Sequence, residues 1–149
     1  VRLRAVESRH WSFAVRNGEF ISGPAVGYII HTGDGHRIYH PGDTALFSDM
    51  KILGEINNPT IGFMHVSLPM EEGVALPHPE TYKRGEVTPE EALIASEWLG
   101  LKHVVASHYV KSDSPDIQEF LDLVEENRKK GKYAPQVIVP ELGETFTVG

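Results

Sequence analysis

The chain contains no cysteine, which excludes disulfide bonds and thiolate metal sites. Histidine and carboxylate side chains are therefore the metal ligands that it can offer. No apolar run approaches the length of a membrane span, and no signal peptide is recognisable. These absences lead us to expect a cytoplasmic protein that does not contact a membrane.

Basic residues are also few, with 14 Lys and Arg against 21 Asp and Glu, and the formal net charge is −7. Nucleic-acid backbones and anionic membrane surfaces favour basic patches, so this balance disfavours both as partners. A nuclease is further disfavoured because the chain lacks a basic stretch with interleaved aromatic residues. With 149 residues and 40% hydrophobic content, the chain is expected to form a single domain, residues 1–149, with a buried core.

Short runs of apolar or alternating residues predict strands, and apolar residues spaced by three or four predict helices. The clearest helix start is Thr88, which can cap the helix while Pro89 occupies its first position and Glu91 completes a capping box. The predicted helices begin near Thr44, Thr88 and Ser114, and the predicted strands span residues 1–9, 24–30, 37–40, 60–66, 102–106, 136–140 and 144–148.

Strands that alternate with helices predict an α/β fold, here a mixed sheet with helices on one face. The strands at 24–30 and 37–40 are expected to form a hairpin across a tight polar turn. The continuous apolar runs at 104–106 and 137–139 are typical of strands covered on both faces. Three helices do not supply that cover, so the sheet is expected to need a further layer.

Three candidate metal ligands follow predicted strands. His10 closes the strand predicted at residues 1–9, and Asp43 follows the turn after residues 37–40. His108 follows the strand predicted at residues 102–106. Ligands and metals are commonly held at the ends of strands, and this ligand set suits zinc, manganese or iron. We therefore predict that these three side chains converge on a divalent metal. His40 is expected not to be a ligand, because strand alternation directs it elsewhere.

Several strings carry a family resemblance. Tyr39-His40-Pro41-Gly42-Asp43-Thr44, the helix start Pro89-Glu90-Glu91-Ala92 and the triplet Ser107-His108-Tyr109 resemble the later metal motifs of the metallo-β-lactamase superfamily. Within it, the closest resemblance is to the ascorbate-lactonase-like predicted metal-dependent hydrolases. The resemblance covers nearly the whole chain but only the second half of the αββα fold. The string His-x-His-x-Asp-His, expected in the first half, does not occur.

The resemblance implies a role for each predicted ligand. His10 would complete a first metal site, Asp43 would bridge two metals, and His108 would complete the second site. A metal-bound hydroxide would then attack an ester, lactone or phosphodiester. Separately from the resemblance, Ser12 and Tyr109 are close in sequence to His10 and His108, so we expect them to orient these histidines.

The segment between residues 71 and 87 has no clear periodicity and is expected to be a long loop. Long loops in compact domains are often functional, so His78 is a candidate substrate-binding residue. The alternative is that His78 is an ordinary exposed side chain in a proline-rich loop. In the same way, His10 taken alone is equally well explained as a partly buried side chain packed by Trp11.

The incomplete ligand set leaves two classes of function open. In the first, the chain is half of a hydrolase that binds a small-molecule substrate, and an N-terminal half carrying His-x-His-x-Asp-His, or self-association, completes it. In the second, the chain is a metal-free structural or interaction half-domain, and its apolar sheet face drives association.

Overall fold

The computed structural model describes residues 1–10, 12–67 and 85–148. Within these residues the chain forms eight strands and three helices. The strands are β1 (Arg2–Glu7), β2 (Phe13–Arg16), β3 (Glu19–Ser22), β4 (Val26–His31), β5 (Arg37–His40), β6 (Ile61–His65), β7 (His103–Ser107) and β8 (Gln136–Ile138), and the helices are α1 (Met50–Asn57), α2 (Pro89–Leu99) and α3 (Pro115–Lys129).

Six strands form one mixed sheet in the order β1-β4-β5-β6-β7-β8, while β2 and β3 pair as a separate hairpin. β4 is antiparallel to both β1 and β5, and the pairs from β5 to β8 are parallel. Two antiparallel steps restore the strand direction, so β1 runs the same way as β5, β6, β7 and β8. The carboxyl ends of these five strands therefore meet at one edge of the sheet.

The core lies between one face of this sheet and the three helices. α2 packs between α1 and α3, and it also contacts β6. This hydrophobic core contains side chains from the sheet and from all three helices, so the predicted α/β fold with a mixed sheet is confirmed. Its members include Ile29, Tyr39, Met64, Val104 and Ala106 from the sheet and Met50, Leu99, Ile117 and Phe120 from the helices.

The opposite face of the sheet stays exposed at β1 and β4. Leu3 is 62% exposed, Val26 is 42% exposed and Tyr28 is 41% exposed. With Ile30, they line an apolar concavity of about 340 Å³. We call these four residues the open face. Exposed apolar patches commonly mark interaction surfaces, so the open face is a candidate docking surface.

Two local predictions are confirmed. β4 and β5 form the expected antiparallel hairpin. At the start of α2, the Thr88 hydroxyl accepts a hydrogen bond from the Glu91 amide at 3.2 Å, and the Glu91 carboxylate accepts one from the Thr88 amide at 3.0 Å. This capping box fixes where the helix begins, immediately after the segment that carries Glu86.

The start of the first predicted helix needs correction, because the helix was predicted to begin near Thr44 and α1 begins only at Met50. The Arg9 amide donates to the Thr44 hydroxyl at 2.8 Å, and the Ala45 amide donates to the Arg9 carbonyl at 2.8 Å. These bonds pair the segment with the end of β1 and engage the Thr44 hydroxyl, which would otherwise be free to cap a helix beginning there. The segment after Asp43 therefore binds β1 before it turns into the helix.

The strand predicted at residues 144–148 is also wrong, since this segment has no strand structure. The Glu144 amide donates to the Glu141 carbonyl at 3.0 Å, and the Glu144 carboxylate accepts from the Glu141 amide at 2.8 Å. The predicted turn near Gly143 is present, but its polar groups are satisfied locally. The β2–β3 hairpin was not predicted, although its Asn17-Gly18 turn is the signal that favours one.

Candidate metal centre

Four potential ligands follow strands whose carboxyl ends share one edge of the sheet. His10 comes three residues after β1, Asp43 comes three residues after β5, His65 ends β6 and His108 follows β7 directly. Because all four strands run in the same direction, their ends bring these side chains together. The topology thus explains how residues far apart in the sequence reach one place.

The loop after β5 places Asp43. Gly42 has φ of 65°, a left-handed conformation that glycine adopts without the strain a side chain would add. The buried Thr44 hydroxyl then accepts from the Arg9 amide at 2.8 Å. This bond fastens the segment that carries Asp43 to the segment that carries His10, so their relative position is set by the backbone.

His108 is held in an uncommon backbone conformation, with φ of 61°. Non-glycine residues in this region are rare and are concentrated at functional sites. The Ser67 hydroxyl donates to the His108 carbonyl at 2.7 Å and stabilises the turn. The imidazole Nε2 lies 3.5 Å from Asp43 Oδ1. The strained turn thus aims the ring across the edge of the sheet at the carboxylate.

Glu86 and His65 complete the cluster. Glu86 Oε1 lies 3.4 Å from His10 Nε2, and its Oε2 lies 3.5 Å from His65 Nε2. The ring centroids of His65 and His108 are 5.7 Å apart. One ligand atom from each of His10, Asp43 and Glu86 lies within 4.8 Å of the other two. Two imidazoles and two carboxylates therefore surround a small volume, with the buried His65 beside it.

Burial controls the charge of the two inner groups. Burial first, and the nearby His108 second, lower the pKa of His65 from 6.5 to about 4, while Asp43 and the backbone of Thr44 and Gly42 oppose the shift. Burial also raises the pKa of the Glu86 carboxyl, with the charge of Asp43 acting in the same direction and His108 and His10 opposing the increase. His65 is therefore neutral at pH 7, and Glu86 pays a desolvation cost when ionised.

The structure brings all three predicted ligands, His10, Asp43 and His108, to the same edge. Their role as metal ligands stays a prediction. Sequence reasoning missed Glu86, which lies next to a segment without periodicity. It also did not assign His65 to the site, although this residue lies near the end of the strand predicted at 60–66.

Ser12 and Tyr109 are the other predicted residues that the structure describes. The Ser12 carbonyl accepts from the Gly23 amide at 3.1 Å, so Ser12 fastens the β2–β3 hairpin. The Tyr109 hydroxyl donates to the Pro140 carbonyl, so any orienting effect on the adjacent histidine acts through the backbone. Their orienting roles stay predictions. His78 lies outside the described residues.

His40 is exposed and lies on the sheet face opposite the core. Its Nδ1 accepts from the Gly42 amide at 3.2 Å, and its ring stacks on Phe63 with centroids 5.7 Å apart. This hydrogen bond supports the turn that carries Asp43. That His40 is not a ligand stays a prediction.

A cleft of about 760 Å³ opens beside His108. Its walls come from β7, from the segment after it and from the C-terminal segment that Tyr109 binds. Phe63, Lys111 and Phe146 contribute apolar and cationic surface to it. The exposed edge of the cluster is thus accessible from a groove large enough for a small molecule.

The low pKa of His65 predicts acid sensitivity of the metal-free chain. The unfolded chain takes up a proton at His65 below about pH 6.5, but the folded chain does so only near pH 4, so stability is lost as pH falls through this window. The expected loss from His65 alone is on the order of 3 kcal/mol. Urea unfolding in chelator at pH 7 and pH 4 measures it.

The raised pKa of Glu86 acts in the opposite direction, because the folded chain takes up that proton first. The informative quantity is therefore the difference between wild type and His65→Gln at each pH. This difference should shrink as pH falls, whereas His36→Gln in the β4–β5 turn should show no comparable trend. A pH-independent difference for His65→Gln would contradict the assignment.

Comparison with known proteins places this fold and cluster in a class. The model of the beta-lactamase superfamily domain matches residues 1–109. The chain therefore belongs to the β-lactamase superfamily, as the sequence motifs predicted. Its described residues contain no helix with the length and apolar character needed to cross a membrane.

Individual relatives agree with this placement. A UPF0173 metal-dependent hydrolase from Symbiobacterium thermophilum is 39% identical over 127 residues, covering 85% of this chain and 49% of the relative. Another from Anoxybacillus flavithermus is 34% identical over 128 residues, covering 83% and 50%. The solved metallo hydrolase from Ignicoccus hospitalis matches with TM-score 0.63 and 28% identity, covering 99% of this chain and 52% of that one. The chain thus spans about half the length of these relatives.

Proposed function

We propose that this chain supplies one half of the active centre of a metal-dependent hydrolase. The observation that carries the proposal is the convergence of His10, Asp43 and His108 at one sheet edge, with His108 Nε2 3.5 Å from Asp43 Oδ1. The substrate class is an ester, lactone or phosphodiester. The names of the relatives, which are metal-dependent hydrolases, support the same reaction type.

The donor set fits a divalent metal ion. Imidazole nitrogens and carboxylate oxygens suit zinc, manganese and iron, and zinc is the metal we expect. The buried Glu86 Oε2 has no hydrogen-bond partner in the described part of the chain, which is the signature of an acceptor that a cation would satisfy. A bound divalent ion would activate water for attack and stabilise the negative charge that develops on the substrate.

The position of each side chain in the cluster determines its proposed role. Asp43 lies between His10 and His108 and is 45% exposed at its side chain, so it faces both the cluster and the solvent. This position suits a carboxylate that bridges two ions. Thr44 and Ser67 hold the turns that carry these ligands, which keeps the donors fixed before a metal or a substrate arrives.

His65 has a different role, because the Val87 amide donates to its Nε2 at 3.1 Å. A neutral imidazole that accepts at Nε2 carries its proton on Nδ1, on the side of the Gly42 and Thr44 backbone. His65 thus connects the segment after Asp43 to the segment that carries Glu86. We assign it to positioning these two carboxylates.

The other half of the centre is a segment that carries His-x-His-x-Asp-His. The open face and the ligand cluster both adjoin the β5 end, since Gly42 also lines the apolar concavity. A partner sheet packed on the open face would bury its apolar side chains and place additional histidines near Asp43. Self-association of the chain is the alternative way to cover the same surface.

The rival function is a metal-free half-domain that acts only as an interaction module. It accounts for the open face, but it leaves the buried Glu86 Oε2 without a hydrogen-bond partner in the described part of the chain. The discriminating observation is metal dependence of hydrolysis.

Removal of the metal is expected to abolish hydrolysis. The chain, combined with a fragment carrying His-x-His-x-Asp-His, would be assayed on p-nitrophenyl acetate, a simple lactone and bis-p-nitrophenyl phosphate. Treatment with chelator should remove the activity on whichever substrate is cleaved, and Zn²⁺ or Mn²⁺ should restore it. Activity that survives complete metal removal would contradict the proposed function.

A further inference from the structure

Glu86 is the one buried carboxylate in the described part of the cluster, and it lies outside the sequence strings that carry the family resemblance. It is 3% exposed and lies two residues before the Thr88 cap of α2. Its two oxygens face different imidazoles, with Oε1 3.4 Å from His10 Nε2 and Oε2 3.5 Å from His65 Nε2. The side chain therefore reaches the centre of the cluster from the segment before α2, whereas Asp43 and His108 reach it from the segments after β5 and β7.

One oxygen of Glu86 lacks a partner. Oε2 has no hydrogen bond in the described part of the chain. His65 does not satisfy it, because His65 Nε2 already accepts from the Val87 amide at 3.1 Å and has no proton to donate. Two acceptors thus face each other in a buried environment. An ionised carboxylate in this position is costly unless a positive group binds it.

The contact between His10 and Glu86 is longer than a strong ion pair, and its length suits two atoms bound to one metal ion. Charge-assisted N–H···O bonds are about 2.7–2.9 Å long, whereas the His10–Glu86 separation is 3.4 Å. Two donor atoms bound to one tetrahedral ion lie about 3.4 Å apart when each bond is about 2.1 Å. The ligand atoms of His10, Asp43 and Glu86 also lie within 4.8 Å of one another, so one ion can contact all three.

We propose that Glu86 is a direct ligand of the divalent ion held by His10 and Asp43. The inference rests on the proposed function and extends it, since it gives this chain three ligands to one ion without the second half. A set with two carboxylates and one imidazole also favours Mn²⁺ and Fe²⁺ more than a set built from imidazoles alone. The second ion still needs ligands from the completing segment.

The test compares Zn²⁺ binding by wild type, Glu86→Gln and Glu90→Gln in titration calorimetry of the 149-residue chain. Gln keeps the size of Glu86 but removes the charge, so zinc affinity should fall by at least about tenfold. Glu90 is exposed on the first turn of α2 and provides the matched control, which should bind zinc as wild type does. Wild-type affinity in folded Glu86→Gln would overturn the inference.

A second readout separates a ligand from a structural residue. Without metal, Glu86→Gln removes a buried carboxylate whose ionisation costs desolvation, so its thermal midpoint should equal or exceed that of wild type. With Zn²⁺, its midpoint should rise less. The visible spectrum of bound Co²⁺ should also change in Glu86→Gln, whereas a residue that only orients His10 would leave the coordination number unchanged. If Glu86→Gln does not fold, the same measurements on Glu86→Asp decide, with wild-type affinity again contradicting the inference.

The variant Asp43→Asn separates an error in the role of Glu86 from an error in the proposed metal centre. Zinc binding by wild type that is lost in Asp43→Asn but intact in Glu86→Gln would overturn the role of Glu86 alone. Zinc binding that survives in Asp43→Asn would overturn the proposed metal centre. Absence of zinc binding by the wild-type chain would overturn the inference, since three ligands in one chain should hold one ion.

Discussion

Asp43→Asn is expected to lower the affinity for Zn²⁺ by at least about 100-fold and to reduce metal-dependent hydrolysis by a similar factor. Asp43 lies near both predicted histidine ligands, with Oδ1 3.5 Å from His108 Nε2 and a ligand atom within 4.8 Å of one from His10. An amide preserves the size of the side chain but removes its charge and one anionic donor. Zinc titration calorimetry and metal analysis after dialysis measure the effect.

Two variants serve as controls for Asp43→Asn. Asp49 is exposed just before α1, so Asp49→Asn makes the same chemical change in the same connecting segment without touching the cluster. His78→Asn tests the sequence prediction that a loop histidine contributes to substrate and not to metal. Equal metal content in Asp43→Asn, Asp49→Asn and His78→Asn would show that Asp43 is not a ligand.

Addition of a fragment carrying His-x-His-x-Asp-His is expected to increase hydrolysis by roughly 1000-fold over the chain alone, about 4 kcal/mol of activation free energy. The chain offers part of a ligand set, and an ion bound by few ligands is neither held tightly nor positioned well. The increase should saturate as the two chains associate, which links catalysis to assembly.

Two changes should remove this increase for different reasons. A fragment in which the histidines of His-x-His-x-Asp-His are replaced by alanine should bind the chain but not activate it. Tyr28→Asp on the open face should weaken association, because it places a charge in the apolar contact. Full activity of the monomeric chain without any fragment would contradict the proposal that it is half of an active unit.

Much of the fold follows from local patterns in the sequence. Alternation predicted β1, the polar turn predicted the β4–β5 hairpin, and the capping signals around Thr88 predicted the start of α2. These features depend on neighbouring residues, so one sequence suffices to find them. The positions of His10, Asp43 and His108 after strands were equally visible, since strands running in one direction bring their ends together.

The features that sequence reasoning missed depend on distant contacts. Apolar spacing after Asp43 favoured an immediate helix. Instead, Thr44 and Ala45 form hydrogen bonds with the backbone of Arg9, and the helix begins only at Met50. Glu86 has no periodic neighbours that indicate its direction. Its burial results from the meeting of segments that are close only after the sheet has formed.

The most direct test of the metal centre is an anomalous diffraction measurement on crystals of the chain, bound to the completing fragment and loaded with Zn²⁺. The account predicts an anomalous peak within about 2.0–2.2 Å of donor atoms from both His10 and Asp43, with Glu86 in the same coordination shell. A second peak should lie between Asp43 and His108. A zinc peak at another place on the chain, with these side chains uncoordinated, would contradict it.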